Sequence, residues 1–215
     1  MCGRYVLWEV DELTKLFNVD GLQDLEPNYN AAPTHLMPVY PGEKMINMRW
    51  GYIPVWAKDE KIGYKLFNTR SESVFEKTMW KSVIKRNRCL IPANGFYEWK
   101  KTADGKTPFF IHLPDEKLFS FAGIWDTWKH DGKEMQTFSI LTTTPNAEMK
   151  DIHDRMPVII DKGDYDMWLS ADNEDDIKVL LQPLKDGSLD MHEVSKDVNF
   201  VKTNNKDLIK PLNSK

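Results

Sequence analysis

Arg88-Cys89-Leu90-Ile91-Pro92-Ala93-Asn94-Gly95-Phe96-Tyr97-Glu98-Trp99 carries two strand-like runs, Cys89–Pro92 and Phe96–Trp99. Both are short, apolar and aromatic, as half-buried strands are. Further along, Phe109–Leu113, Phe119–Trp125, Phe138–Thr142 and Val158–Ile160 repeat the pattern. Turn chemistry separates them, as at Asp104-Gly105 and Asp131-Gly132. Toward the N-terminus, Leu36–Tyr40 and Met45–Tyr52 read as extended and Pro27–Pro33 as irregular coil. Helical spacing is confined to short pieces. Val10–Phe17 places Leu13, Leu16 and Phe17 on one face, and Ser71–Lys85 aligns Val74, Phe75, Met79 and Val83. Two more short helices are expected near Asp164–Leu169 and Asp175–Leu181. Many short strands with a few peripheral helices predict an α+β fold, one domain over residues 1–215 with a mainly antiparallel, curved or barrel-like β core. The polar Asn204–Lys215 stretch predicts a loosely held tail.

Composition excludes several classes. The chain has 215 residues, 41% of them hydrophobic, enough for one substantial core. No apolar run approaches the ~20 residues that a membrane span requires, and no basic-then-apolar leader marks a secretory signal. Two cysteines, Cys2 and Cys89, support neither a disulfide framework nor a cysteine-built zinc site. No metal or cofactor is expected, and the expected address is a reducing, intracellular, cytoplasmic one. A net charge of −4 argues against a wholesale polycation but leaves room for a local basic cleft. The six arginines are Arg4, Arg49, Arg70, Arg86, Arg88 and Arg155, and several lie in the polar clusters below. Arginine suits phosphate better than lysine does, although structural ion pairs account for the count equally well.

The N-terminus offers a distinctive chemistry. Initiator methionine is normally removed when the next side chain is small, and trimming before Cys2 would leave an α-amine and a thiol on adjacent carbons. Such a 1,2-aminothiol condenses with an aldehyde to an imine, which the thiol closes to a thiazolidine. An α-amine titrates at about 7.7–8.0, so a useful fraction is nucleophilic at neutral pH, unlike a lysine near ~10.4. The same terminus also suits a nucleophilic cysteine whose own amine is its base. Position alone favours a chance Met-Cys start, so the rest of the chain decides.

Three polar clusters interrupt the apolar runs. In Phe67-Asn68-Thr69-Arg70-Ser71-Glu72, Asn68 is placed to donate to a substrate oxygen or to Cys2, and Arg70 to hold a phosphate; a capping Ser71 and a turn-closing Asn68 explain the segment in isolation at least as well. Glu98 stands among aromatics in an extended run, where a buried carboxylate becomes a usable acid or base near neutrality; simple strand alternation would turn it to water instead. Ile152-His153-Asp154-Arg155-Met156-Pro157 gathers three ionisable groups ahead of a Val-Ile-Ile run, which favours a site.

The ordered set of these segments resembles the SOS-response-associated peptidase family of abasic-site processing proteins. The resemblance rests on Met1-Cys2-Gly3-Arg4-Tyr5, Tyr29-Asn30-Ala31-Ala32-Pro33-Thr34, Arg49-Trp50-Gly51-Tyr52-Ile53-Pro54 and Asn68-Thr69-Arg70-Ser71-Glu72. It continues through Arg88–Ala93, Gly95–Trp99, Phe121-Ala122-Gly123-Ile124-Trp125, Leu141-Thr142-Thr143 and His153–Val158. It implies a catalytic Cys2 at the mature N-terminus, supported by Asn68, Glu98 and His153. It also implies a single-stranded DNA groove drawing on Arg4, Asn30, Pro33, Trp50, Arg70 and Arg155. The implied partner is single-stranded DNA containing abasic sites, or a single/double-strand junction, met by a monomer without membrane contact. The implied activity is a covalent thiazolidine crosslink, with autoproteolytic removal of Met1 and lyase-type side activity. An N-terminal-cysteine peptidase or amidase, and a non-covalent single-strand binder, are the competing readings. Thr69 and Ser73 depart mildly from the family pattern, where alanine and threonine are commoner.

Overall fold

The computed structural model describes residues 2–17, 25–103 and 105–212. Thirteen strands appear among them: β1 Arg4–Leu7, β2 Asn28–Ala31, β3 Leu36–Val39, β4 Ile46–Trp50, β5 Asn68–Arg70, β6 Arg88–Ala93, β7 Gly95–Thr102, β8 Gly105–His112, β9 Phe119–His130, β10 Lys133–Thr143, β11 Met156–Pro157, β12 Ile159–Ile160 and β13 Asp190–Glu193. They form a five-stranded sheet, β13-β8-β7-β1-β2, and an eight-stranded sheet built on the path β12-β9-β10-β4-β3. In the larger sheet β6 joins β9, and β5 and β11 join β10. Pairing is antiparallel except where β4 and β5 run parallel to β10. Neither sheet closes on itself, so the fold is α+β with two open, packed sheets and the barrel-like expectation is corrected.

The stretch Arg88–Trp99 links the two sheets. β6 lies in the larger sheet and β7 in the smaller, with Asn94 at the elbow between them. Asn94 is wholly buried; its Oδ1 accepts from the Trp8 and Glu9 backbone amides at 2.9 and 3.3 Å, and its Nδ2 donates to Glu9 at 2.9 Å. Gly95 follows because a Cβ there would stand 2.3 Å from the Phe110 ring. Between the sheets an aromatic network fills the core. Tyr5 meets Trp50 edge-on at 5.1 Å and Phe121 at 5.7 Å, and Trp50 stacks on Phe138 at 6.3 Å.

The helices are short and peripheral: α1 Val10–Phe17, α2 Thr78–Lys81, α3 Val83–Arg86, α4 Ala147–Lys150, α5 Tyr165–Ser170 and α6 Glu174–Val179. In α1, Leu13 and Phe17 are buried while Asp11 and Glu12 meet the positive end of the helix dipole. The single helix expected over Ser71–Lys85 is instead a 3₁₀ turn at Ser71–Ser73 followed by α2 and α3. The expected coil at Pro27–Pro33 contains β2, paired to β1 with Tyr5 opposite Ala31. Asp131 and Gly132 take positive φ in the tight β9–β10 turn, as the dipeptide suggested; Asp104 lies outside the described residues. The tail is docked rather than loose as far as Leu212. Leu208 and Ile209 are buried with Val6, Tyr97 and Phe110 on the outer face of the smaller sheet, and the Leu212 amide bonds Glu193 O at 2.9 Å. Their apolar burial outweighs the polar neighbours that suggested looseness. Residues 213–215 lie outside the described residues.

Arg88 shows why arginine counts mislead. It is buried and donates to the carbonyls of Ile84, Lys85, Trp168, Leu169 and Ala171. Those acceptors lie at the C-terminal ends of α3 and α5, where helices leave carbonyls unsatisfied.

Candidate active site

Both sheets contribute to one site. β1 runs antiparallel beside β7 with Arg4 opposite Tyr97, which brings the residues preceding Arg4 alongside Glu98. From the larger sheet, β5 lies parallel to β10 with Asn68 opposite Ile140. His153 precedes β11, which is paired to the end of β10 through Thr143 and Met156.

Cys2, Asn68, Glu98 and His153 therefore converge. Cys2 is 1% exposed and Glu98 2%, so Glu98 faces inward and not water. The Asn68 amide donates to Cys2 O at 2.8 Å, while its Oδ1 is buried with no hydrogen-bond partner among the described residues. The Cys2 thiol donates weakly to Arg4 O at 3.6 Å. Burial, reinforced by the Glu98 charge, pushes the thiol well above its ordinary range. Burial likewise raises the Glu98 carboxyl, with the amino-terminal charge and then His153 pulling it partly back. His153 Nδ1 accepts from the Arg155 amide at 3.0 Å and lies 2.9 Å from Asp154 Oδ1. Glu98 and His153 line an open cleft of about 440 Å³ with Trp99, Lys106 and Asn199. A second cleft of about 590 Å³ shares Trp99 and His153 with it and adds Lys101, Lys150, Asp151 and Asp154. An acid-base pair beside a thiol and an amide, open to a cleft, is an arrangement suited to carbonyl addition and proton transfer.

The residues expected to bind DNA divide into two groups. Arg70 is exposed and Pro33 half-buried. Arg4 is half-buried, donates to Gly3 O at 3.1 Å and has a buried Nε without a partner among the described residues. Next to Pro33, Thr34 holds φ 84°, a costly conformation for a β-branched residue. Bonds from its amide to Trp50 O at 2.7 Å and from the His35 amide to Ala32 O at 3.0 Å hold it there. The other three are internal. Asn30 donates to the carbonyls of Val198, Phe200 and Thr203 and so ties down the C-terminal segment. Arg155 is buried, with its guanidinium bonded to both Glu72 oxygens and to Thr142 O. Trp50 is 0% exposed, and its indole donates to Phe67 O at 2.9 Å. Trp50 thus lies in the aromatic core with no exposed face, whereas the resemblance placed it in a DNA groove. Trp50→Ala is accordingly expected to cost about 3–5 kcal/mol of stability, as large core aromatics do, measured by denaturant unfolding. Thr69, the departure from the family pattern, is buried and shares a 2.9 Å hydroxyl bond with Ser139, so it is an internal adjustment.

Trp99, Lys101, Lys106, Lys150 and Asn199 line the clefts without having been singled out. Trp99 stood in a motif already quoted, but nothing in a sequence distinguishes three lysines from the rest.

Among the described residues no group of three or more His, Cys, Asp or Glu could hold a metal ion, and no helix is long and apolar enough to cross a membrane.

Comparison with known proteins places these features in context. A family model described as SOS response associated peptidase (SRAP) matches residues 1–201. The chain is 41% identical over 222 residues to the abasic site processing protein YoqW of Bacillus subtilis, covering 97% of this chain and 99% of that one. It is 31% identical to the abasic site processing protein HMCES of Xenopus tropicalis, over 86% of this chain and 66% of that one. A crystal structure of a protein from Bacteroides thetaiotaomicron is similar with a TM-score of 0.90 at 26% identity, covering 98% of this chain and 99% of the other.

Proposed function

The chain belongs to the SOS response associated peptidase family, and from that premise we propose that it captures abasic sites in single-stranded DNA by forming a thiazolidine with Cys2. The observation that carries the reading is the convergence of Cys2, Asn68, Glu98 and His153, the last two of which line an open cleft. Relatives bearing the name abasic site processing protein support the substrate.

With Met1 removed, the Cys2 amine attacks the C1′ aldehyde of the ring-opened sugar, and a proton passes from nitrogen to oxygen. Loss of water leaves an imine. The Cys2 sulfur then bonds the imine carbon and its proton goes to nitrogen, closing the five-membered ring. The raised thiol favours this order, because a thiol held protonated leaves the amine as the first nucleophile. Glu98 takes and returns the moving proton, its carboxyl tuned upward by burial. His153 acts as the acid at the sugar oxygen. Asn68 fixes Cys2 through its carbonyl at 2.8 Å, and its unpartnered Oδ1 suits an amine N–H. A nucleotide without a base also enters a pocket cheaply, since nothing is unstacked. Arg4 and Arg70 serve the phosphates. Removal of Met1 by the same groups, and an intracellular, DNA-associated monomer, complete the reading.

The direct test incubates the purified protein with a single-stranded oligonucleotide carrying one abasic site and resolves the products on a denaturing gel. A heat-stable adduct is expected. A protein that shifts the oligonucleotide on a native gel yet leaves no denaturation-resistant adduct would be a non-covalent binder.

A further inference from the structure

The β7–β8 hairpin carries an arrangement that stability does not explain. Its register sets Trp99 opposite Pro108, Lys100 opposite Thr107 and Lys101 opposite Lys106. Directly opposed residues of an antiparallel pair have their Cβ atoms ~4.5–5.5 Å apart on one face, and like charges there are destabilising. None of the ion pairs among the described residues uses Lys101 or Lys106. Lys106 lines the cleft that holds Glu98 and His153, and Lys101 lines its neighbour. Two opposed lysines with no ion pair among the described residues suit an anion.

The surroundings narrow which anion. Trp99 lies in the wall common to both clefts, and its indole donates to Asn199 Oδ1 at 2.8 Å. The residue after Asn199 is Phe200, 68% exposed, an expensive way to leave a phenyl ring unless a partner covers it. The backbone beneath Phe200 is fixed, because its amide bonds Asp197 O at 3.0 Å and its carbonyl receives Asn30 at 3.1 Å. Asp151 and Asp154 line the second cleft as well and repel anions from their part of it. Lys101, Lys106 and Trp99 thus line a trench that also holds Glu98, Asp151 and Asp154, and the exposed Phe200 follows Asn199 at its rim in sequence. A chain that alternates phosphates with flat rings matches this trench. An acidic peptide or a free anion would leave the aromatics unused.

We propose that the β7–β8 hairpin is the backbone clamp for the single strand flanking the lesion, Lys101 and Lys106 holding its phosphates and Trp99 and Phe200 receiving its bases. The assignment rests on the abasic-DNA reading only for the identity of the lesion; the clamp itself needs an ordinary single strand. It adds a lysine pair that has no motif to the phosphate contacts of Arg4 and Arg70.

The test therefore uses an unmodified single-stranded oligonucleotide, which cannot be crosslinked, followed by fluorescence anisotropy between about 50 and 200 mM salt. Each phosphate neutralised on a single strand contributes about 0.7 to the slope of log affinity against log salt. Lys101→Gln/Lys106→Gln is expected to flatten the slope by about 0.7–1.4 and to weaken binding about tenfold or more at the lowest salt. Lys101→Glu is expected to weaken it further. Phe200→Ser should lower affinity at least several-fold with an unchanged slope, because it removes stacking and no charge. Melting curves matching the wild type confirm that each variant is folded. An unchanged slope and affinity in the double lysine variant would overturn the clamp, as would a wild type that does not bind the strand. Equal losses for blunt duplex and for polyglutamate would also overturn it, reducing the hairpin to a general anion surface. If these shifts appear while the wild type fails to crosslink abasic DNA, the clamp stands and the thiazolidine chemistry falls.

Discussion

Cys2→Ala is expected to abolish the heat-stable adduct with abasic single-stranded DNA altogether, because ring closure needs the amine and the thiol on one residue. Alanine preserves the amine when Met1 is removed, so the variant should still form an imine. Borohydride should trap that species. Left untrapped, it should drift to β-elimination and nick the strand. The thiol diverts a lyase-type intermediate into a protected ring, and its burial beside Glu98 keeps it waiting as a neutral group until the imine is present. The trimmed variant yielding no borohydride-trapped species would show that the amine is not the first nucleophile.

Glu98→Gln is expected to slow single-turnover crosslinking by about 10²–10⁴-fold, the range of a positioned acid or base, while binding of abasic single strands stays near normal. His153→Ala should act most strongly on reversal, where reopening the ring needs an acid at the sugar. Because burial raises the Glu98 carboxyl, the wild-type forward rate should climb with pH through that raised value, and Glu98→Gln should lose the dependence. Stability should move the other way. A carboxyl raised by folding contributes fully below the ordinary carboxylate range of about 4.3, and that contribution is lost as pH rises through the raised folded value. Glu98→Gln should therefore gain in melting temperature relative to the wild type as pH goes from mildly acidic to mildly basic. Wild-type rates for both variants across that pH range would reduce Glu98 and His153 to structural residues.

Glu72 and Arg155 make an opposite prediction for acid. The Arg155 hydrogen bonds hold the Glu72 carboxyl below its usual range, so the pair stabilises the fold above the ordinary carboxylate value and the effect fades as pH falls through the depressed one. Glu72 is half exposed, and solvent screening keeps the contribution modest.

Apolar periodicity made most of the strands legible, because period-two burial leaves its mark residue by residue. It missed β2, whose Asn28-Tyr29-Asn30-Ala31 run is held by β1 and by the C-terminal segment rather than by its own propensity. It also overran the Ser71–Lys85 segment, where helical spacing exists without the long helix it suggests. The site's acid, base and thiol were legible as polar residues embedded in apolar runs. The DNA surface was much less so. Trp50, Asn30 and Arg155 look like ligands in sequence because large, polar or charged residues in motifs invite it, yet each satisfies an internal need: an aromatic core, three orphan carbonyls and an ion pair with Glu72. Lys101 and Lys106 escaped notice because only the hairpin register brings them together.

Intact mass spectrometry of the adduct shows whether Cys2 itself becomes the ring. The expected product is a protein lacking Met1, joined to the abasic oligonucleotide with the loss of one water, unaffected in mass by borohydride, and yielding an N-terminal peptide modified on Cys2 alone. An adduct that retains Met1, gains the mass of reduction on borohydride treatment, or maps to a lysine would contradict it.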